Sequence, residues 1–99
     1  MLIDINNPTF QESWFKLDKS ERGRVIDSLK KLKQLTWEQL YRDAGFKWEK
    51  IISITPAKGI DTVYSLRISQ NRRATAYRDG DMIRFLTVEP DHDATYGKK

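Results

Sequence analysis

Hydrophobic and polar positions along the chain change period near its middle. Before Gly45 the apolar residues recur at helical spacing; after it they alternate. Phe10, Trp14 and Leu17 fall at i, i+4 and i+7, one face of a helix beginning at Thr9, where Thr9 and Glu12 have capping-box spacing. Asp18 and Glu21 repeat that spacing. They predict a second helix from about Lys19 to Leu35, with Val25, Ile26, Leu29 and Leu32 as its apolar stripe. Thr36 and Gln39 open a short third helix through Leu40 and Tyr41, and Gly45 is its natural stop. Ahead of these, Leu2, Ile3 and Ile5 form at most a weak strand, cut off by Asn6-Asn7-Pro8.

Beyond Gly45 the period is two. Phe46–Thr55 reads as a strand with Phe46, Trp48, Ile52 and Ile54 on one face. Pro56-Ala57-Lys58-Gly59 is a loop. Thr62–Ser69 alternates, with Tyr64, Leu66 and Ile68 on one face and Val63, Ser65, Arg67 and Ser69 on the other. Arg73–Arg78 sets Ala74 and Ala76 against Arg73, Thr75 and Tyr77, and Met82–Val88 is apolar enough for a central strand. Asp79-Gly80 marks a tight hairpin between the last two. Helices followed by strands predict an α+β domain: an antiparallel sheet of about four strands, with the N-terminal helices packed on one face.

Composition narrows the function. Ninety-nine residues make a single domain, 1–99. With no cysteine, no disulfide or thiolate chemistry exists, and one histidine argues against a histidine-rich metal site. No cofactor or metal is expected. No apolar run approaches the roughly 20 residues of a membrane span, and the first residues lack a signal-peptide pattern, so a cytoplasmic protein is expected. The net charge of +4 admits an anionic partner without naming one.

Three stretches carry a resemblance. YSLRISQNRRATAYRDGD resembles the central hairpins of the RelE/ParE toxin superfamily, HDATYG resembles the C-terminal His-Asp-x-x-Tyr ending of HigB-like members, and WEQLYRDAGFKWEKI resembles their helix-to-strand entry. The resemblance spans about Phe10 to Gly97. It implies the toxin of a bacterial toxin–antitoxin pair, held by a cognate antitoxin and cutting mRNA on the ribosome without metal. In that chemistry the RNA 2′-hydroxyl attacks the adjacent phosphate, which calls for a base, an acid and positive charge over the phosphate.

By the same resemblance, Arg73 and Arg67 match the basic positions of the two central strands. Arginine suits a phosphate because its fork is rigid and its charge permanent. His92 is the only imidazole and titrates near neutrality. Tyr96 matches the terminal tyrosine, and Glu49 lies in the strand from which some members draw a carboxylate base. Lys47, Arg72 and Lys98 are further RNA contacts, while Lys30, Lys31 and Lys33 on the second helix suit ribosomal RNA. Two departures stand out: Ser65 and Arg67 occupy a strand where some members carry several lysines, and no longer C-terminal helix follows. The competing readings are a ParE-like binder of DNA gyrase and a non-toxic basic binding module.

Overall fold

The structure is a computed structural model that describes residues 1–53 and 55–90. The elements are β1 (Leu2–Asp4), α1 (Pro8–Phe15), α2 (Lys19–Lys33), α3 (Trp37–Arg42), β2 (Glu49–Lys50), β3 (Tyr64–Ser69), β4 (Arg72–Asp79) and β5 (Met82–Pro90). The strands form one five-stranded sheet in the order β1-β5-β4-β3-β2. The expected α+β layering holds, with five strands in place of about four.

Each helix starts where a side chain can satisfy its first free N–H groups. Asp18 accepts from the Glu21 N–H at 2.8 Å, and Thr36 and Gln39 form a reciprocal capping box. The first helix departs from expectation. Its cap is Asn7, which accepts from the Thr9 and Phe10 N–H groups, and Pro8 fills the first turn. The Asn-Pro pair that reads as a strand breaker is thus also a helix start, since proline has no N–H to lose there.

The core lies between the helices and one face of the sheet. α1 sits over β5 and α2 over β3. Between them, Ala74 and Ala76 of β4 are fully buried in the core. Leu66 and Ile68 meet Val25, Leu29 and Leu32, while Phe10 packs on Phe85 with ring centroids 5.3 Å apart. Thr75 pairs with Thr87 but Ala76 with Phe85, so Leu86 is an extra residue in a β-bulge. The bulge resets the alternation, which is why Ile83, Phe85 and Val88 all face the helices. The Val88 N–H finds its acceptor in Ser13 Oγ of α1 at 3.0 Å.

Three further expectations are corrected. The β4–β5 loop is Gly80-Asp81, one residue later than expected, because Asp79 still pairs with Met82. Gly80 has φ +62°, as the first centre of a type II′ turn requires. The strand expected over Phe46–Thr55 shrinks to Glu49–Lys50. Lys47 is in the left-handed region at φ +47°, which breaks the alternation at one end. At the other, the ladder ends at Ile51, whose N–H donates to the Val63 carbonyl; Ile52 then turns out to 87% exposure instead of sharing a face with Phe46. Ile54 lies outside the described residues. The weak first strand is real: β1 pairs in parallel with β5, Leu2 opposite Met82 and Asp4 opposite Arg84. Arg84 fastens it, donating to Asp79 at 2.8 Å and to Asp4 at 2.5 Å. The two carboxylates, Asp79 foremost, hold its pKa above the ordinary arginine value.

Leu29 tests the packing, being 7% exposed between α2 and the sheet. Leu29→Ala should cost about 2–5 kcal/mol in urea unfolding through the cavity it leaves.

Candidate functional site

The face of the sheet away from the helices carries the polar residues. Directly opposed residues on neighbouring strands point to the same face, so register defines rows across it. One row is Glu49–Ser65–Thr75–Thr87 and the next is Arg67–Arg73–Glu89. The alternate residues, Leu66 and Ala74, are the ones buried under the helices. Arg67 and Arg73 are therefore cross-strand neighbours on one face, as expected from their alternation.

Arg73 is half-buried and held in place. Its Nη2 donates to Ser65 Oγ at 2.7 Å and, less closely, to the Lys47 carbonyl at 3.4 Å. Its other terminal nitrogen and its Nε make no hydrogen bond to a described residue, so the fork is anchored at one corner and retains donors for an anion. Arg67 is half-buried and partnered, and its backbone N–H donates to the Phe46 carbonyl at 2.6 Å. That bond and the ladder at Glu49 run the 46–51 segment along the β3 edge, with Lys47 looped out between them. On the far side, the Thr75 and Thr87 hydroxyls share a hydrogen bond of 2.7 Å.

The other expected residues divide. Glu49 is exposed on the edge strand, in line with Ser65, and is bonded to no other described side chain. Lys47 is exposed, and its backbone is what reaches Arg73. Arg72 is not brought to this face. It alternates with Arg73 and shares the helix side with Ala74, and its buried Nε finds no acceptor among the described residues. Lys30, Lys31 and Lys33 fill the last turn of α2. Lys31 lies 5.7 Å from the Phe46 ring centroid and lines, with Arg67 and Ser28, a hollow of about 200 Å³. It thus belongs to the same rim as Arg67, not to a separate surface. His92, Tyr96 and Lys98 lie outside the described residues.

Sequence reasoning placed Ser65 and Thr75 on the polar face but gave them no role. It missed Glu89, whose position opposite Arg73 depends on the bulge at Leu86. Arg78 belongs to a packing cluster: its guanidinium lies 4.5 Å over the Trp37 ring and donates to the Tyr41 hydroxyl at 2.7 Å. Trp48 stacks on Tyr64 at 4.5 Å and meets Trp37 edge-on. A hollow of about 510 Å³ lies away from the arginine pair, between loop 59–62 and the β4–β5 turn. Asp61 and Asp79 line it, so it suits a polyanion poorly.

Among the described residues no group of three or more His, Cys, Asp or Glu is arranged to hold a metal ion, and no helix is long and apolar enough to cross a membrane.

No protein-family model matches the chain, and no curated protein does. Solved structures do. The structure of an archaeal RelE–RelB complex from Pyrococcus horikoshii matches with a TM-score of 0.62 at 18% identity, over 90% of this chain and 92% of that one. The YoeB dimer from Staphylococcus aureus matches with a TM-score of 0.56 at 16% identity, over 93% and 98%. The RelB–RelE antitoxin–toxin complex from Methanococcus jannaschii gives 0.52 at 18% identity, over 99% and 98%. These chains share little sequence with this one and nearly all of its architecture: the chain has the RelE-like fold.

Proposed function

We propose that this chain is the toxin of a type II toxin–antitoxin pair, an endoribonuclease that cuts mRNA on the ribosome without a metal and so inhibits translation. One observation carries the reading: Arg67 and Arg73 stand opposite each other on the solvent face of the sheet, with Arg73 fixed by Ser65. The RelE-like fold adds to it, as does the ending His92-Asp93-x-x-Tyr96.

The chemistry follows from these groups. The 2′-oxygen attacks phosphorus as a base takes its proton, the bond to the 5′-oxygen breaks, and an acid protonates that leaving group. The products are a 2′,3′-cyclic phosphate and a 5′-hydroxyl. Arg73 and Arg67 hold the negative charge that builds on the phosphate oxygens. Because Ser65 already orients Arg73, little reorganisation is needed as that charge develops. Glu49 is the candidate base, His92 the acid, and Tyr96 a contact to base or phosphate.

Three experiments test this. Arg73→Ala should keep the melting temperature within a few degrees and lose about 2–4 kcal/mol of transition-state stabilisation, some 30- to 1000-fold in cleavage rate. A folded Arg73→Ala protein with full activity would remove the phosphate site. Purified protein should cut programmed ribosomes and spare naked mRNA, because positioning by the ribosome supplies several kcal/mol that a sparse acid–base set lacks. Activity should fall steeply with salt. Equal cleavage of naked RNA would leave a free endoribonuclease, and toxicity without any cleavage would shift the reading to a gyrase-type binder. Finally, two of the structural neighbours are complexes of RelE with RelB. Co-expression with the adjacent gene should yield a co-purifying antitoxin, part of which orders on binding. A chain that is harmless alone and has no partner would refute the toxin reading.

A further inference from the structure

We infer that the hollow beside Arg73 on the same face receives the nucleobase next to the scissile phosphate and selects bases that carry an amino group, an inference that rests on the ribonuclease reading above. The hollow is about 290 Å³. Pro56 and Ile60 of the loop after β2 wall one side of it, Val63 and Leu86 of the sheet another, and Thr75 and Thr87 bring the only hydroxyls of the sheet strands to it. Glu89 closes the end nearest Arg73.

The placement is what a nucleotide requires. The Arg67–Arg73–Glu89 row and the Thr75–Thr87 row are successive rows of one face, separated by two residues along the strand, or about 7 Å. A phosphate held by the arginines therefore has an apolar recess within one nucleotide of it. A base presents flat apolar faces and a polar edge, and the recess offers aliphatic walls with polar groups at two ends. The bulge makes this possible. By inserting Leu86 it bends the strand at this point and brings an aliphatic side chain to the solvent face beside Thr75 and Thr87.

The polar groups set the preference. One proton bridges the Thr75 and Thr87 oxygens, so the second hydroxyl proton is free to donate to a base carbonyl. The Glu89 carboxylate is exposed, is bonded to no other described side chain, and can only accept. It pairs with the exocyclic amino group of cytosine or adenine, whereas uracil turns a carbonyl to it. In the hollow at the other end of the sheet the lining arginine, Arg78, is engaged by Trp37 and Tyr41, and Asp61 and Asp79 stand beside it.

Methyl NMR of the intact protein tests this directly. The probes are three short RNAs made uncleavable by a 2′-deoxy sugar at the scissile nucleotide. One carries cytosine next to the phosphate, one uracil, and one an abasic sugar. The cytosine probe should shift the methyl resonances of Leu86, Val63 and Ile60; the abasic probe should leave them in place. Cytosine should bind at least fivefold tighter than uracil, and Glu89→Gln, whose amide both donates and accepts, should erase the difference. Ala57→Trp, at the exposed rim, should block the recess and abolish the cytosine-dependent shifts while the protein keeps its melting temperature. Binding lost with Arg73→Ala but silent at the methyls would leave the phosphate site standing and overturn the base subsite. Methyl shifts identical for all three probes would overturn it as well. Binding of no probe by the wild-type protein would overturn the base subsite, while the ribosome-dependent reading stands or falls on the cleavage assay above.

Discussion

Everything on the solvent face depends on the alternation of one strand. β4 sits in the middle of the sheet, bonded to β3 on one side and β5 on the other. Ala74 and Ala76 point to the helix side, where both are fully buried in the core. That fixes Arg73 and Thr75 to the opposite face. A slip of one residue would push arginine into the core and expose the alanines, so burial holds the register rigidly. The position of the arginine pair is thus a by-product of hydrophobic packing 5 to 10 Å away, on the order of the thickness of a packed layer. Arg73 stands between Arg67 and Glu89 and is held through Ser65 and the Lys47 carbonyl.

Lys47 shows how that second anchor is built. Holding a lysine at φ +47° costs on the order of 1–3 kcal/mol where glycine would be at ease. The segment tolerates it because both flanks are fixed: the Phe46 carbonyl accepts from Arg67, and Glu49 pairs with Ser65. Phe46 is buried and Trp48 stacks on Tyr64, so the side chains on either side hold as well. The result is a carbonyl turned toward the guanidinium of the next strand but one. Strain of this kind gathers where geometry matters more than stability, which agrees with a site built around Arg73.

Much of this was legible in the sequence, for physical reasons that differ from element to element. The helices declare themselves through local chemistry. Asp18, Thr36 and the spacing of Val25, Leu29 and Leu32 need no knowledge of the rest of the chain. Arg67 and Arg73 were readable because period two is intrinsic to a strand. What was hidden is non-local. β1 joins β5 across about eighty residues, and nothing in Leu2–Asp4 announces its partner. The bulge at Leu86 is invisible because Met82–Val88 is apolar at nearly every position, so no alternation reveals where the phase resets. Glu89 was missed for that reason alone. The strand expected from Phe46 failed because its aromatic residues are buried for different causes, Phe46 against α2 and Trp48 in a surface aromatic stack, and not by a shared pleat.

The two ends of the sheet separate charge by sign, and that separation orders the functional surface. At the β4–β5 turn, Asp79, Asp81 and Asp61 gather, and the arginines there are spoken for: Arg84 by two carboxylates, Arg78 by Trp37 and Tyr41. At the β3–β4 end, Arg67, Arg73 and Lys31 lie together, with Glu49 and Glu89 on either side of the arginine pair. A polyanion entering this field is steered to the second end and turned away from the first. A protein partner that masks the site meets the same pattern in reverse. It has to bring acidic groups to the arginine end while tolerating acids at the other, so one continuous segment with a charge gradient fits better than a uniformly acidic one. That requirement comes from the distribution of charge on this face and holds whatever fold the partner adopts.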